Sequence, residues 1–150
     1  MMSSCRYVSN VGGSFKLNQP YLIEFTQKGD ARGNLVVLEE INDVPFSIKR
    51  VFYIYGSDSE VTRGKHANRN TEFVLINVSG TSKVMVDNGT EKVIFNLNRP
   101  HIGIYLPRMI WKEMYDFSPD SVLLCIASTI YEPDEYIKDY VQFLSEIKGA

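Results

Sequence analysis

Between the apolar runs "SKVMV" and "EKVIF" the chain reads Asp87-Asn88-Gly89, and this short stretch restricts the fold more than any other. Asn-Gly readily supplies the two positive-φ positions of a type I′ turn, so the runs on either side are expected to fold back on each other as a hairpin. The rest of the sequence repeats the same rhythm. "YLIEF", "NLVVLE", "KRVFYIYG", "EFVLINVSG", "HIGIYLP", "WKEMYDFS" and "SVLLCIAS" are each short, rich in Val, Ile, Phe and Tyr, and bounded by turn residues. Many such strands joined by short turns predict an all-β sandwich or barrel, whose closure hides the strand edges.

Both ends depart from this pattern. Residues 1–20 are polar and contain Gly12-Gly13-Ser14, which predicts a flexible N-terminal extension ahead of a single domain over 21–150. In "EPDEYIKDYVQFLSEIKG", Pro133 suits a first helical turn, Asp134 and Glu135 favour its positive end, and Tyr136, Tyr140, Leu144 and Ile147 recur on one face. A packed C-terminal α-helix is expected there.

At 150 residues and 44% hydrophobic content the chain can bury one core. Its net charge of -2 lacks the basic excess of a nucleic-acid binder, and a small anionic ligand suits its local basic patches better. Cys125 lies in an apolar run far from Cys5, so a buried free thiol is expected and no disulfide framework. No stretch has signal-peptide or membrane-span character, which predicts a cytoplasmic protein with no membrane partner.

The chemistry-bearing segment is "RGKHANRNTE", residues 63–72. His66 and Glu72 resemble part of the ligand set with which small β-barrels hold a divalent ion. Asn68 is no substitute for an imidazole, however, and nothing aims His101 at His66, so no metal is expected. No serine elbow, electropositive cysteine niche, Walker motif or dinucleotide glycine pattern is present. What remains is acid–base chemistry by His66, with Arg63, Lys65 and Arg69 able to bind phosphate or a developing oxyanion. On composition alone, a solvated basic loop carrying an incidental histidine is an equal reading. In "LPRMIWKEMYDF", Trp111 is either core or a flat surface for a base or sugar ring, while Arg108 and Lys112 are expected at the surface unless the barrel mouth turns one inward.

Taken together, "KGDARGNLVVLE", "PFSIKRVFYIYG", "RGKHANRN", "VSGTSKVMVDNG" and "GIYLPRMIWKEMYDFSPDSVLLCIAS" followed by "IYEPDEYIKDYVQF" resemble the dTDP-4-keto-6-deoxyglucose 3,4-ketoisomerases, metal-independent sugar isomerases of the cupin class. The resemblance runs from Tyr21 to Phe143. It implies a cupin-type jelly-roll barrel and the conversion of dTDP-4-keto-6-deoxyglucose to a 3-keto sugar, with no redox cofactor and no metal. An aminotransferase would then act on the way to 3-amino-3,6-dideoxyhexoses of surface glycans such as lipopolysaccharide.

The resemblance also implies roles for residues. His66 matches the family's base, and Asn68 stands where the second histidine of its His-Ala-His motif would be. Asn68 can hydrogen-bond but cannot carry a proton at neutral pH. Tyr53 or Tyr55 would supply a phenolic donor, and Arg32, Arg50, Arg63, Lys65, Arg69, Trp111 and Lys112 are the substrate-binding candidates. Arg32 matches the branch giving the galacto product, whereas Lys112 is neither the His nor the Arg usual at its place. The partners implied are a dTDP-sugar and a second copy, in a homodimer that exchanges N-terminal strands. A nucleotide-sugar epimerase of related barrel shape and a catalytically silent sugar-nucleotide binding module remain alternatives.

Overall fold

Side-chain alternation along each strand assembles two sheets that face each other across a shared core. In the computed structural model, which describes residues 5–8 and 19–149, the strands are β1 (Cys5–Val8), β2 (Tyr21–Glu24), β3 (Gln27–Asp30), β4 (Gly33–Val36), β5 (Arg50–Tyr55), β6 (Arg63–Asn68) and β7 (Phe73–Ser79). They continue as β8 (Ser82–Asp87), β9 (Lys92–Leu97), β10 (Ile102–Leu106), β11 (Trp111–Tyr115), β12 (Val122–Ala127) and β13 (Tyr136–Ile137), followed by one helix, α1 (Tyr140–Lys148). The first sheet runs β1-β9-β8-β11-β6-β13, the second β2-β10-β7-β12-β5, and β3 pairs with β4 as a separate hairpin. The expected jelly roll is therefore built as two facing sheets rather than one continuous ladder.

The run "FVLIN" in β7 is buried residue after residue because both of its faces are covered. Phe73 and Leu75 join Val84, Phe95, Ile104 and Leu123 between the sheets. Val74 and Ile76 point the other way, under Phe25, Val44 and Phe46. β5 has no such cover: Phe52 and Ile54 pack toward the core, while Val51, Tyr53 and Tyr55 are 56%, 60% and 70% exposed.

The hairpin at Asn88-Gly89 forms with the expected strands, Val84 opposite Phe95 and Val86 opposite Val93. Its turn differs. Pairing stops at Asp87 and Lys92, and only Gly89 has a positive φ, of 97°. The Asn88 Oδ1 accepts from the backbone N–H groups of Thr90 and Glu91, both at 2.9 Å, so a side chain closes the loop in place of a two-residue type I′ turn. A Cβ on Gly89 would collide with Ile147, because the end of α1 rests on this loop.

The C-terminal helix is present but starts later than Pro133. Pro133–Glu135 form a single 3-10 turn, and Tyr136 and Ile137 are extended opposite Asn68 and Ala67 of β6. The edge of β6 offers unpaired backbone groups there, and satisfying them outweighs continuing a helix. Asp139 then caps α1 by accepting from the N–H groups of Val141 and Gln142. The apolar face is divided as a result: Phe143, Tyr140, Leu144 and Ile147 pack under the helix with Trp111, Ala67 and Ile137.

The expected extension over 1–20 falls mostly outside the described residues. Cys5–Val8 lie parallel to β9, with Cys5 opposite Lys92. Among the described residues no helix is long and apolar enough to cross a membrane.

Candidate active site

His66 owes its direction to a bulge. Met114 pairs with Arg63 and Glu113 with Gly64, but Lys112 pairs with His66, so Lys65 has no partner on β11. Without the extra residue His66 would lie opposite Trp111 and share its face, under the helix. Skipping Lys65 turns His66 to the inner face, beside Lys112. The bulge needs left-handed backbone at Gly64 (φ 84°) and Lys65 (φ 57°). Gly64 also has no room for a side chain, since a Cβ there would meet the Lys112 carbonyl oxygen at 2.9 Å and the Met114 sulfur at 3.1 Å.

The inner face opens on a cavity of about 150 Å³ between the sheets. Arg63, Gly64, His66, Lys112, Met114 and Tyr136 line it from the first sheet; Phe52, Ile54, Phe73, Leu75 and Cys125 line it from the second. The ring of Tyr136 lies 4.9 Å from that of His66, tilted by 58°.

Behind this wall runs a buried polar chain. Lys112 is 3% exposed; its Nζ donates to Asn68 Oδ1 at 2.6 Å and sits 4.9 Å from the centre of the Phe73 ring. The amide nitrogen of Asn68 donates in turn to the Glu135 carboxylate. Glu135 also accepts from the backbone N–H groups of Asn70 at 2.9 Å and Thr71 at 3.2 Å, and from the Thr71 hydroxyl at 2.9 Å. A buried charge persists only when compensated, and this chain joins the ammonium to a carboxylate through one amide.

These surroundings set the protonation states. Burial, followed by the charge of Lys112, lowers the His66 pKa to about 4, against the pull of a Gly64 backbone hydrogen bond and of Glu135. The imidazole is therefore neutral at neutral pH and free to accept a proton. Burial lowers Lys112 to about 7, opposed chiefly by Glu135. The Cys125 thiol is pushed up to about 12 by burial and stays neutral.

The other residues singled out in the sequence are dispersed. Arg63 reaches the cavity wall, whereas Lys65 is exposed at the bulge. Arg69 is tied to the helix, donating to Glu146 at 2.9 and 2.8 Å. Arg32 stands at the tip of the β3–β4 hairpin, bound to Asp30. Trp111 packs edge-on against Tyr140 and donates from its indole to Glu113 at 3.0 Å, which makes it core under α1 and not part of the cavity wall. Tyr53 and Tyr55 stack on each other on the outer face of β5, turned away from the cavity by alternation. Lys112, expected at the surface, is buried because it alternates with Trp111 on β11. Asn68 stands one layer behind the wall.

Arg50, at the start of β5, has its guanidinium 5.5 Å from the Phe52 ring and 5.6 Å from that of Tyr131. Its Nη1 makes a long 3.5 Å bond to the Tyr136 hydroxyl, while Nε and Nη2 are buried with no acceptor among the described residues. Such donors are costly to leave unpaired and suit an anionic ligand. Glu135 and Tyr136 were hidden in the sequence because "PDEYI" reads as a helix start. The competing signal was Asp139, a better N-cap that leaves "EYI" extended.

A family model described as FdtA: WxcM-like, C-terminal matches residues 18–148. A protein of Aneurinibacillus thermoaerophilus described as TDP-4-oxo-6-deoxy-alpha-D-glucose-3,4-oxoisomerase is 40% identical over 122 residues, covering 81% of this chain and 88% of that one. Two solved structures from Campylobacter jejuni are also similar. The WlaRB TDP-quinovose 3,4-ketoisomerase has 39% identity and a TM-score of 0.83, over 86% of this chain and 99% of that one. The WlaRA TDP-fucose-3,4-ketoisomerase has 38% identity and a TM-score of 0.80, over 85% and 94%.

Proposed function

The chain belongs to the FdtA, WxcM-like C-terminal family, and from that membership we propose that it is a nucleotide-sugar 3,4-ketoisomerase acting on dTDP-4-keto-6-deoxyglucose. The observation that carries the reading is His66, a neutral imidazole on the wall of the cavity between the sheets, next to a buried cation. The hydrogen on C3 is acidic because it adjoins the C4 ketone. His66 removes it, the electron pair moves onto the C4 oxygen, and an enediol forms beside Lys112, whose charge favours oxyanion character. The proton then returns to C4 and leaves the ketone on C3. Arg50, with its unpaired donors, and Arg63 suit the diphosphate.

Relatives of nearly equal identity are named for two different sugars, TDP-quinovose and TDP-fucose, so overall similarity does not select the product. The cavity wall supports one answer. His66 is its only imidazole among the described residues, so the proton leaves and returns on one face. In the gluco series the C3 hydrogen lies on the face that the C4 hydrogen occupies in the galacto series. Transfer on one face thus yields dTDP-3-keto-6-deoxygalactose, the substrate for a 3-aminotransferase. An epimerase would need a His–Asp pair, and no aspartate lines the cavity among the described residues.

The reading extends to a cytoplasmic homodimer formed by exchange of N-terminal strands, supported by the exposed Val51, Tyr53 and Tyr55 on the open edge strand β5. Incubation with dTDP-4-keto-6-deoxyglucose and a 3-aminotransferase tests the activity: an aminated sugar nucleotide is expected, and its absence overturns the proposal. His66→Asn should abolish turnover while nucleotide binding, measured by calorimetry, is largely retained.

A further inference from the structure

Moving a ketone from C4 to C3 transfers two protons, one between carbons and one between oxygens. His66 accounts for the first. Resting on the ketoisomerase reading, we propose that Lys112 carries the second: its ammonium gives a proton to the C4 oxygen as the C3 hydrogen leaves, and its amine takes the C3 hydroxyl proton as C4 is protonated. Each group ends as it began. His66 has moved a hydrogen from C3 to C4, Lys112 has moved one from O3 to O4, and no oxidant or reductant is needed.

Three observations carry this inference. First, Lys112 pairs directly with His66 across β11 and β6, and both line the same cavity, so one substrate carbon–oxygen pair can lie against the two of them. Second, among the described residues the ammonium makes a single hydrogen bond, to Asn68, and otherwise sits over the Phe73 ring, which leaves donor capacity for a ligand. Third, the chain behind it is built to hold the lysine without draining its proton. Asn68 Oδ1 faces the ammonium and the amide nitrogen faces Glu135, which is itself fixed by the backbone N–H groups of Asn70 and Thr71. An amide transmits polarity but accepts no proton at neutral pH, so Asn68 insulates Lys112 from the carboxylate; a histidine at that position would connect them. Asn68 and Glu135 are thus positioning residues.

The groups facing Lys112 are His66 on β6, Cys125 on β12 and Glu135 on the 3-10 turn. His66 and Cys125 are neutral at pH 7, and burial brings Lys112 to about 7, so both of its protonation states are accessible under the conditions of turnover.

The experiment compares wild type, Lys112→Met, Lys112→Arg and Lys112→Ala on dTDP-4-keto-6-deoxyglucose. Loss of the carrier should lower kcat of the Met and Arg variants by about 100-fold or more, with KM little changed. Ethylamine should restore part of the activity of Lys112→Ala. If Lys112→Arg keeps more than about a tenth of kcat, a fixed cation suffices and the inference fails; absent rescue by ethylamine also overturns it. Glu135→Gln, which leaves Lys112 in place, gives a readout that does not depend on folding of the lysine variants. Removing the anion that raises the lysine pKa should move the alkaline limb of kcat/KM to lower pH, and an unmoved limb counts against the proposal. A wild-type protein that does not turn over the substrate would instead sink the ketoisomerase reading itself.

Discussion

The ammonium of Lys112 donates to the side-chain oxygen of Asn68 at 2.6 Å, and the amide nitrogen of Asn68 donates onward to Glu135. Residues from β6, from β11 and from the turn before β13 thus form one buried unit. Its energetics are cooperative, since each member exists buried only because the next one compensates it.

Asn68→Ala breaks the chain in the middle and leaves a buried ammonium and a buried carboxylate without their shared partner. A loss of about 2–3 kcal/mol in unfolding free energy is expected, on the scale of an unpaired buried polar group next to a charge. A double-mutant cycle with Lys112→Met should show a coupling of at least about 1 kcal/mol. Additive losses in urea denaturation would mean that the two side chains do not depend on each other.

Gly64→Ala tests the bulge that aims His66. The new Cβ would crowd the Lys112 carbonyl oxygen and the Met114 sulfur and would sit in left-handed backbone, which costs about 1–2 kcal/mol in a residue other than glycine. A bulge that shifts to escape the crowding misaims His66, so kcat should fall by more than the stability loss suggests. Lys65→Gly, by contrast, relieves the φ of 57° and should raise the midpoint of thermal unfolding with activity kept.

The pH dependence of stability follows from two lowered pKa values. His66 titrates near 4 when folded against about 6.5 when unfolded, so between those values the unfolded chain binds more protons and stability falls as pH drops. Lys112 titrates near 7 when folded against 10.5 when unfolded, so its contribution to stability rises as pH increases from 7 toward 10.5. In urea titrations, the difference between wild type and His66→Asn should change only across the acid window. The difference between wild type and Lys112→Met should change only across the alkaline one. A difference that stays constant with pH would place the side chain in water.

Stereochemistry gives a direct check on the single base. Substrate deuterated at C3 should retain part of the label at C4 of the product, in the galacto configuration, because one imidazole holds the deuteron between removal and return. Proton NMR of the product decides it. A gluco product, or complete loss of the label to solvent at the shortest times, would require a second base on the opposite face.

Strand positions were legible in the sequence because alternation and turn chemistry are local. Both "FVLIN" and "VFYIY" read as strands, but only in the fold is burial continuous along β7, covered on both faces, and alternating along β5, covered on one. The segment around His66 was legible as a site but not as a geometry. Whether His66 faces the cavity or the helix depends on one residue skipped against β11, and a register exists only once a partner strand is present. For the same reason Tyr53 and Tyr55 looked available as phenolic donors, whereas the tyrosine beside His66 is Tyr136, from the far end of the chain.

The sequence by itself determined most of the core strands, the hairpin at Asn88-Gly89, the presence of a terminal helix and of His66 in a basic segment, since each rests on side chains within a few residues of one another. Tertiary structure alone decided that Lys112 is buried, that Asn68 links it to Glu135, and that Trp111 belongs to the core. Burial and charge compensation are set by neighbours brought from positions 68, 112 and 135, and no spacing within one segment encodes them.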